Sequence, residues 1–440
     1  MKKLILLLTI FTFVFFGCES AKQQHKEANS DSEILSENLE EYFETLERLK
    51  KFNGGVLVQQ QGERLLYKAY NMDKNERSLL VNKYSQFDIH SISKLMAQAS
   101  VVNLERNNLI NREDKLSKYI FDFPNGDLIT IQHLIKNQSG LPRGFSKEYP
   151  DLINKDPEEV VEYIKAEPLL FEPGADALYS NLGYQLLYFI ISKVTGKPFV
   201  QYANEAFFQP LQMENTGAHF HLENNNLSQL VKNHELDDGE LVVVPNIQKD
   251  GKNQSKIYSS MEDLLKFIDH VKAEPYRSAL KNQHNEIGWS GGGDGILCHA
   301  KAALTSDYEI VFFSNYDEIP FGDILETVDK IMTKKAYDLP QQINRVAVKV
   351  ERSMLDNYTG KYRVKEFNND VFEFRIEDDK FVFYQNGERN TVLNAESDRT
   401  FFDQADSEDY FEFRESSPGE YKLIFHYKKL EIEGLKISVK

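Results

Sequence analysis

The chain has 440 residues, an apolar fraction of 41% and a formal net charge of −17. That length accommodates two domains at about 100–200 residues each, with enough apolar side chains for a sizeable core. The acidic balance speaks against a nucleic-acid partner, which requires clustered Lys and Arg on one face.

Lys2 and Lys3 precede an apolar run, Leu4 to Phe16, broken only by Thr9 and Thr12 and followed by Gly17-Cys18. The run is too short to cross a bilayer, which takes about 20 residues, so residues 1–18 read as a signal peptide. The ending resembles a bacterial lipobox, although Phe15 and Phe16 depart from its usual residues. The resemblance implies acylation at Cys18 and an exported lipoprotein held to an envelope membrane by its lipid. Residues 19–33 are polar without periodicity and read as a flexible tether. Cys298 is the only other cysteine and sits among apolar residues, as a core filler does.

From Ile34 to Phe52 the apolar residues Leu35, Leu39, Tyr42, Phe43, Leu46 and Leu49 recur at helical spacing. "GGVLVQQQGERLLYKAY" then reads as a hairpin turning at Gln61-Gly62. A helix beside a hairpin suggests an α+β domain. A helix is expected from near Ser91, in "SISKLMAQASVVNLER". Further helices are expected over Leu182–Thr195, ending at Gly196, over Met261–Lys272 with Ser260 as N-cap, and over residues 320–336. "YEIVFFS" (308–314) reads as a buried strand. Residues 338–349 read as a linker. Beyond it, short Val-, Phe-, Tyr- and Ile-rich runs alternate with turns at Asp378-Asp379, Asn386-Gly387 and Pro418-Gly419. These predict a second, mostly β domain over residues 350–440.

Three stretches carry chemistry. Ser91 and Lys94 are one helical turn apart, so a helix there puts them on one face. A serine hydroxyl needs an adjacent base to attack, and a buried lysine serves once burial lowers its pKa. Tyr179 and Asn181 stand just before an apolar helix; a phenol shares protons and an amide donates to a carbonyl. Each pattern alone is weak, since S-x-x-K recurs at 278–281 and Y-x-N at 202–204 and 384–386. The third stretch is "GWSGGGDG" (288–295), whose Gly288–Gly292 fit G-x-S-x-G. A nucleophile elbow needs a buried strand before it and a helix after it. Here the approach is polar, the sequel is glycine-rich, and only His299 and His426 follow as triad partners, so Ser290 is not read as the nucleophile.

Taken in order, these stretches resemble the serine hydrolases related to class C β-lactamases and low-molecular-mass penicillin-binding proteins. Ser91-x-x-Lys94, "IQHLIKNQSGLP" (131–142) and Tyr179-Ser180-Asn181 match the family's segments over roughly residues 50–335. The resemblance implies an antiparallel sheet flanked by helices over residues 34–337 and likens residues 350–440 to the small barrel-like modules of some relatives. It implies Ser91 as nucleophile, Lys94 and Tyr179 as proton carriers and Asn181 as a substrate contact. It also implies that Trp289, Gly291 and Gly292 line the site, with the Gly292 and Ser91 N–H groups forming the oxyanion hole. Trp289 replaces the family's Lys or His, which favours an esterase or small-amide hydrolase with an uncharged acyl group; the alternative is that Trp289 only packs and a nearby Arg or Lys binds a substrate carboxylate. Asn137 stands where the family often has His, and His90 where Gly commonly precedes the nucleophile; His90 reads as a packing residue. No cofactor or metal is implied. The competing readings are a D-alanyl-D-alanine carboxypeptidase acting on peptidoglycan-derived peptides and a non-catalytic ligand-binding lipoprotein.

Overall fold

The computed structural model describes residues 16–149, 151–222, 227–237, 240–244, 252–365, 370–405, 407–427 and 430–437. The chain divides into two compact units between Leu339 and Pro340.

The first unit opens with α1 (Phe16–Arg48) and the hairpin β1 (Gly54–Gln60) and β2 (Glu63–Tyr70). Gln61 and Gly62 both take positive φ, which gives the two-residue turn whose twist matches its strands. Then come the short β3 (Phe87–Asp88) and the helices α2 (Ser93–Arg106), α3 (Ile131–Ile135), α4 (Pro157–Lys165), α5 (Asn181–Thr195) and α6 (Phe199–Ala203). They are followed by β4 (Gly217–Ala218), β5 (His234–Asp237), β6 (Glu240–Val243), β7 (Ile257–Ser259), α7 (Met261–Val271) and α8 (Tyr276–Leu280). The unit closes with β8 (Glu286–Gly293), β9 (Ile296–Ala303), β10 (Tyr308–Ser314) and α9 (Phe321–Met332). Its main sheet has five strands in the order β2-β1-β10-β9-β8, and the mapped pairings are antiparallel.

Helices cover both faces, so the central strands are apolar on both sides. Leu57, Val311 and Phe313 point into a core with α2, α5 and α7. Val56, Val58, Ile310 and Phe312 point the other way, toward Leu39, Phe43 and Leu46 of α1 and Ile324 and Val328 of α9. This is why β10 reads as a continuous apolar run and is buried along its length. The expected sheet flanked by helices is therefore present.

Two connecting stretches take a definite course. Residues 19–33 are helical and continue into the amphipathic segment of α1. The stretch is rich in Ala, Glu, Lys and Gln, which propagate a helix at little cost once it is nucleated. The division between the units falls within the 338–349 stretch, whose later residues bond to the second unit. Arg345 N–H donates to Ala405 O at 2.7 Å, and its guanidinium lies 4.3 Å from the Tyr410 ring centre. Val348 N–H donates to Ala395 O at 2.7 Å.

In the second unit α10 (Arg352–Tyr358) precedes eight strands: β11 (Gly360–Val364), β12 (Asp370–Glu377), β13 (Lys380–Gln385), β14 (Glu388–Ala395), β15 (Thr400–Phe402), β16 (Tyr410–Ser417), β17 (Glu420–Tyr427) and β18 (Leu430–Ile437). They close into a barrel, which leaves no open sheet edge. An eight-stranded barrel is just wide enough for side chains to fill. Phe413 occupies that interior, stacked on Tyr358 at 4.5 Å and edge-on to Phe374 at 5.1 Å. Removing such a ring costs about 3–5 kcal/mol.

Candidate active site

Ser91 lies in a 3-10 turn, His90–Ile92, that leads directly into α2. β3 brings the chain there. Ile89 N–H donates to Ile257 O at 3.0 Å, tying the approach to β7. His90 then reverses direction with a positive φ, a left-handed conformation that is uncommon for a residue with a Cβ. Ser93 steadies the turn from the other side, donating from Oγ to His90 O at 2.7 Å. Apolar residues of α2 are buried over several turns, so the helix serves as a rigid mount.

The helix carries Lys94 under Ser91. Lys94 Nζ donates to Ser91 Oγ at 2.9 Å. The lysine is 6% exposed, and its amine lies 5.1 Å and 5.6 Å from the ring centres of Tyr179 and Tyr184. Burial pushes its pKa below the ordinary lysine value and the Arg143 charge adds to that, while the Tyr179 hydroxyl opposes it. On the other side of the serine, Tyr179 OH is 2.7 Å from Ser91 Oγ. One hydroxyl is thus shared between an amine and a phenol.

Tyr179 is held by a residue whose function the sequence did not reveal. Asn137 takes a positive φ, which an Asn side chain tolerates. Its backbone carbonyl accepts from Leu178 N–H at 2.9 Å and its Oδ1 accepts from Ser180 N–H at 3.0 Å. The chain is therefore gripped immediately before and after the phenol. Ser180 completes the mount by capping α5: its Oγ accepts from Gly183 N–H at 3.0 Å and donates to Pro142 O at 2.7 Å. Asn181 begins α5, is exposed, and donates its N–H to Arg143 O at 2.9 Å. Arg143, also absent from the sequence reading, lays its guanidinium 5.1 Å from the Tyr179 ring centre.

The third wall is the edge strand β8. Its side chains alternate between faces. Trp289 packs on the α2 side, its indole edge-on to Tyr184 at 5.9 Å. Gly291 lies on the same side. A Cβ there would fall 2.3 Å from Ile89 O and 2.8 Å from Cys298 Sγ, so only glycine lets the strand meet the turn that carries Ser91. Gly293 makes the same allowance for the His90 ring, which a Cβ would approach to 2.4 Å. Gly292 is exposed. Ser290 faces the opposite side, where its Oγ is 2.8 Å from His299 Nδ1. Burial drives the His299 pKa down to about 3. The structure thus brings Ser91, Lys94 and Tyr179 together, places the Trp289-Gly291 face of β8 beside them, and turns Ser290 away.

Cys298 is fully buried, and burial raises the pKa of its thiol. The side chain of Cys18 lies outside the described residues, as does the 1–15 part of the leader. Among the described residues no helix is long and apolar enough to cross a membrane.

The Beta-lactamase family model matches residues 40–296. The chain is 23% identical to Penicillin-binding protein 4* of Bacillus subtilis (strain 168) over 423 residues, covering 83% of this chain and 91% of that protein. It is 26% identical to Protein flp of Staphylococcus aureus (strain MRSA252) over 270 residues, covering 59% of this chain and 54% of that protein. The chain thus spans only about half the length of the second relative. The octameric penicillin-binding protein homologue from Pyrococcus abyssi has a similar fold, with a TM-score of 0.59 at 18% identity over 90% of this chain and 99% of that one.

Proposed function

The chain belongs to the β-lactamase family and is a serine hydrolase; from that premise we propose that it cleaves an ester or small amide through an acyl-enzyme at Ser91. The observation that carries this reading is the position of Ser91 Oγ, 2.9 Å from Lys94 Nζ and 2.7 Å from Tyr179 OH. In this scheme Ser91 attacks the substrate carbonyl. Lys94 and Tyr179 take its proton and pass it to the departing atom. The N–H groups of Ser91 and Gly292 hold the oxyanion, a role supported by the close approach of β8 to Ile89. Asn181 donates to a substrate carbonyl from the head of α5. Water then releases the acyl group. The reaction is assigned to residues 34–337, and no step is assigned to the β domain over residues 350–440.

Trp289 shapes the substrate preference. An indole offers a flat apolar surface and one N–H donor but no charge. The group lying against β8 is therefore uncharged, which favours an ester or simple amide. A penicillin-binding peptidase acting on peptidoglycan-derived peptides is the second reading. It is favoured by similarity spanning 91% of a protein named a penicillin-binding protein. That same relative supports a place in the cell envelope, and the Lys2–Cys18 leader supports a lipid anchor at Cys18. Transfer of a Cys18→Ala chain from the membrane fraction to the soluble fraction is the expected mark of that anchor.

The deciding experiment is a panel of para-nitrophenyl esters, D-amino-acid amides and a fluorescent penicillin, with Ser91→Ala as control. Ester turnover lost in Ser91→Ala, without stable penicillin labelling, supports the esterase. A stable penicillin adduct at Ser91 selects the peptidase. Turnover undiminished in Ser91→Ala rules out the acyl-enzyme.

A further inference from the structure

Proton transfer to Lys94 creates a charge where water is excluded. As the amine takes the serine proton it becomes an ammonium on a side chain that is 6% exposed. Among the described residues no carboxylate pairs with it. The titratable and charged groups around Nζ are Tyr179, Tyr184, His90 and Arg143, and none of them is a carboxylate. A buried ammonium without compensation is costly. What faces it instead is a pair of rings, with Nζ 5.1 Å from the Tyr179 ring centre and 5.6 Å from that of Tyr184. A cation within about 6 Å of a ring centre is drawn to the ring face, most strongly in a dry site. Tyr179 presents its hydroxyl to Ser91 Oγ and carries the proton. Tyr184 has no such task. It is fully buried, and its hydroxyl is locked: it accepts from Gln98 Nε2 at 2.6 Å and donates to Ile135 O at 3.0 Å. Gln98 lies one turn beyond Lys94 on α2, so amide and amine share one face of that helix. Ile135 closes α3. Trp289 of β8 packs against the same ring at 5.9 Å. Burial raises the pKa of the Tyr184 phenol, so it stays neutral. A ring gripped by α2, α3 and β8 thus turns its face to the one amine that gains charge.

We propose that Tyr184 is a positioning residue whose ring face steadies the ammonium form of Lys94 during acyl transfer. The inference rests on the acyl-enzyme reading above and deepens it. As Ser91 Oγ bonds to the substrate carbonyl carbon, the carbonyl π electrons move to the oxygen and the serine proton moves to Lys94 Nζ. Collapse of the oxyanion breaks the bond to the departing atom. That atom takes the proton by way of Tyr179, and Lys94 is neutral again. Water repeats the sequence at the acyl-enzyme. The Tyr184 ring acts only while the ammonium exists, so it raises kcat and leaves substrate affinity alone.

The test replaces Tyr184 in the full chain with phenylalanine and with its mono-, di- and trifluorinated forms. Fluorine draws electron density from the ring face and nearly keeps the ring's shape, so packing is held constant along the series. Turnover of para-nitrophenyl acetate is followed against pH, beside a thermal melt. Tyr184→Phe is expected to lower Tm, because the Gln98 amide and the Ile135 carbonyl lose their partner, and to keep kcat within about threefold. Along the fluorinated forms kcat is expected to fall in steps, reaching a loss of about tenfold at the third fluorine, with KM unchanged. The acid limb of kcat/KM moves to lower pH in the same order, since a less stabilised ammonium gives up its proton sooner. A kcat indifferent to fluorination, an unmoved limb, or losses that fall in KM or follow Tm overturn the proposal. The two readings fail separately. Turnover that survives Ser91→Ala removes the acyl-enzyme, and the charge on Lys94 with it. Turnover that needs Ser91 but is equal along the series removes only the part given to Tyr184.

Discussion

Lys94 Nζ stands 2.9 Å from Ser91 Oγ, one helical turn away, in a position that leaves the lysine 6% exposed. Burial lowers its pKa, so the neutral amine needed to accept a proton is available at a lower pH than in an ordinary lysine. The same shift has a stability consequence. The unfolded chain binds this proton more readily than the folded one, so the contribution of Lys94 to stability grows as pH rises toward the ordinary lysine value and diminishes as pH falls below it. The site holds its base at a cost to the fold.

Lys94→Met separates the two effects. Methionine fills much of the same space without a charge to desolvate. The expected outcome is a loss of about a hundredfold or more in the rate of fluorophosphonate labelling at Ser91, together with a Tm about 2–4 °C higher at neutral pH. Labelling kinetics and a thermal melt check both. A variant that labels normally and melts lower contradicts the assigned role.

Arg143 also acts on the base. Its positive charge is one of the influences that lower the Lys94 pKa, so removing it raises that pKa. With a neutral para-nitrophenyl ester as substrate, the acid limb of the kcat/KM profile in Arg143→Gln is expected to move to higher pH while the plateau is kept. An unmoved limb would mean that solvent screens the guanidinium from Lys94.

Gly291 and Gly292 are adjacent but differ in what a methyl group would meet. At Gly291 it falls 2.3 Å from the Ile89 carbonyl oxygen, a backbone atom on the turn that carries Ser91. At Gly292 the nearest atom, 2.8 Å away, is Cδ2 of Leu297, the end of a flexible side chain. Gly291→Ala is expected to push β8 away from Ser91 and reduce kcat about a hundredfold or more, with a lower Tm. Gly292→Ala should leave Tm within about 2 °C. Similar melts for the two variants would show that β8 yields as a unit.

What could be read in advance was whatever depends on neighbours in the chain. α5 was legible because Leu182 to Thr195 is strongly apolar and Gly196 follows it as a stop. β10 was legible because both its faces are buried. The spacing of Ser91 and Lys94 became meaningful through its order with the two later segments. Asn137 was not legible as a mount for Tyr179, because its left-handed backbone and its bond to Ser180 N–H exist only once residues 137–142 dock beside residues 178–181. Arg143 was hidden for the same reason. The helical course of residues 19–33 is not legible from apolar spacing, because the stretch is polar without periodicity, although its residue types favour helix.

His299 marks the far face of the sheet and predicts how the fold responds to acid. Its Nδ1 contacts Ser290 Oγ at 2.8 Å, its Nε2 is buried without a hydrogen-bond partner among the described residues, and Phe312 and Phe321 pack around the ring. Burial depresses its pKa from 6.5 to about 3. Between those values the unfolded chain binds a proton at this histidine and the folded chain does not. The stability contributed by His299 is therefore fully present above pH 6.5 and is lost as pH falls through that window. The slope for one such group is at most about 1.4 kcal/mol per pH unit. His90, depressed to about 4 by burial, acts in the same direction over a narrower range. His299→Gln is expected to flatten the dependence of Tm on pH between about pH 6.5 and pH 4, even where it lowers Tm at neutrality. Thermal melts across that range check it. An unchanged slope would mean that His299 is already protonated in the folded chain, with water or a shifted Ser290 hydroxyl serving its free nitrogen.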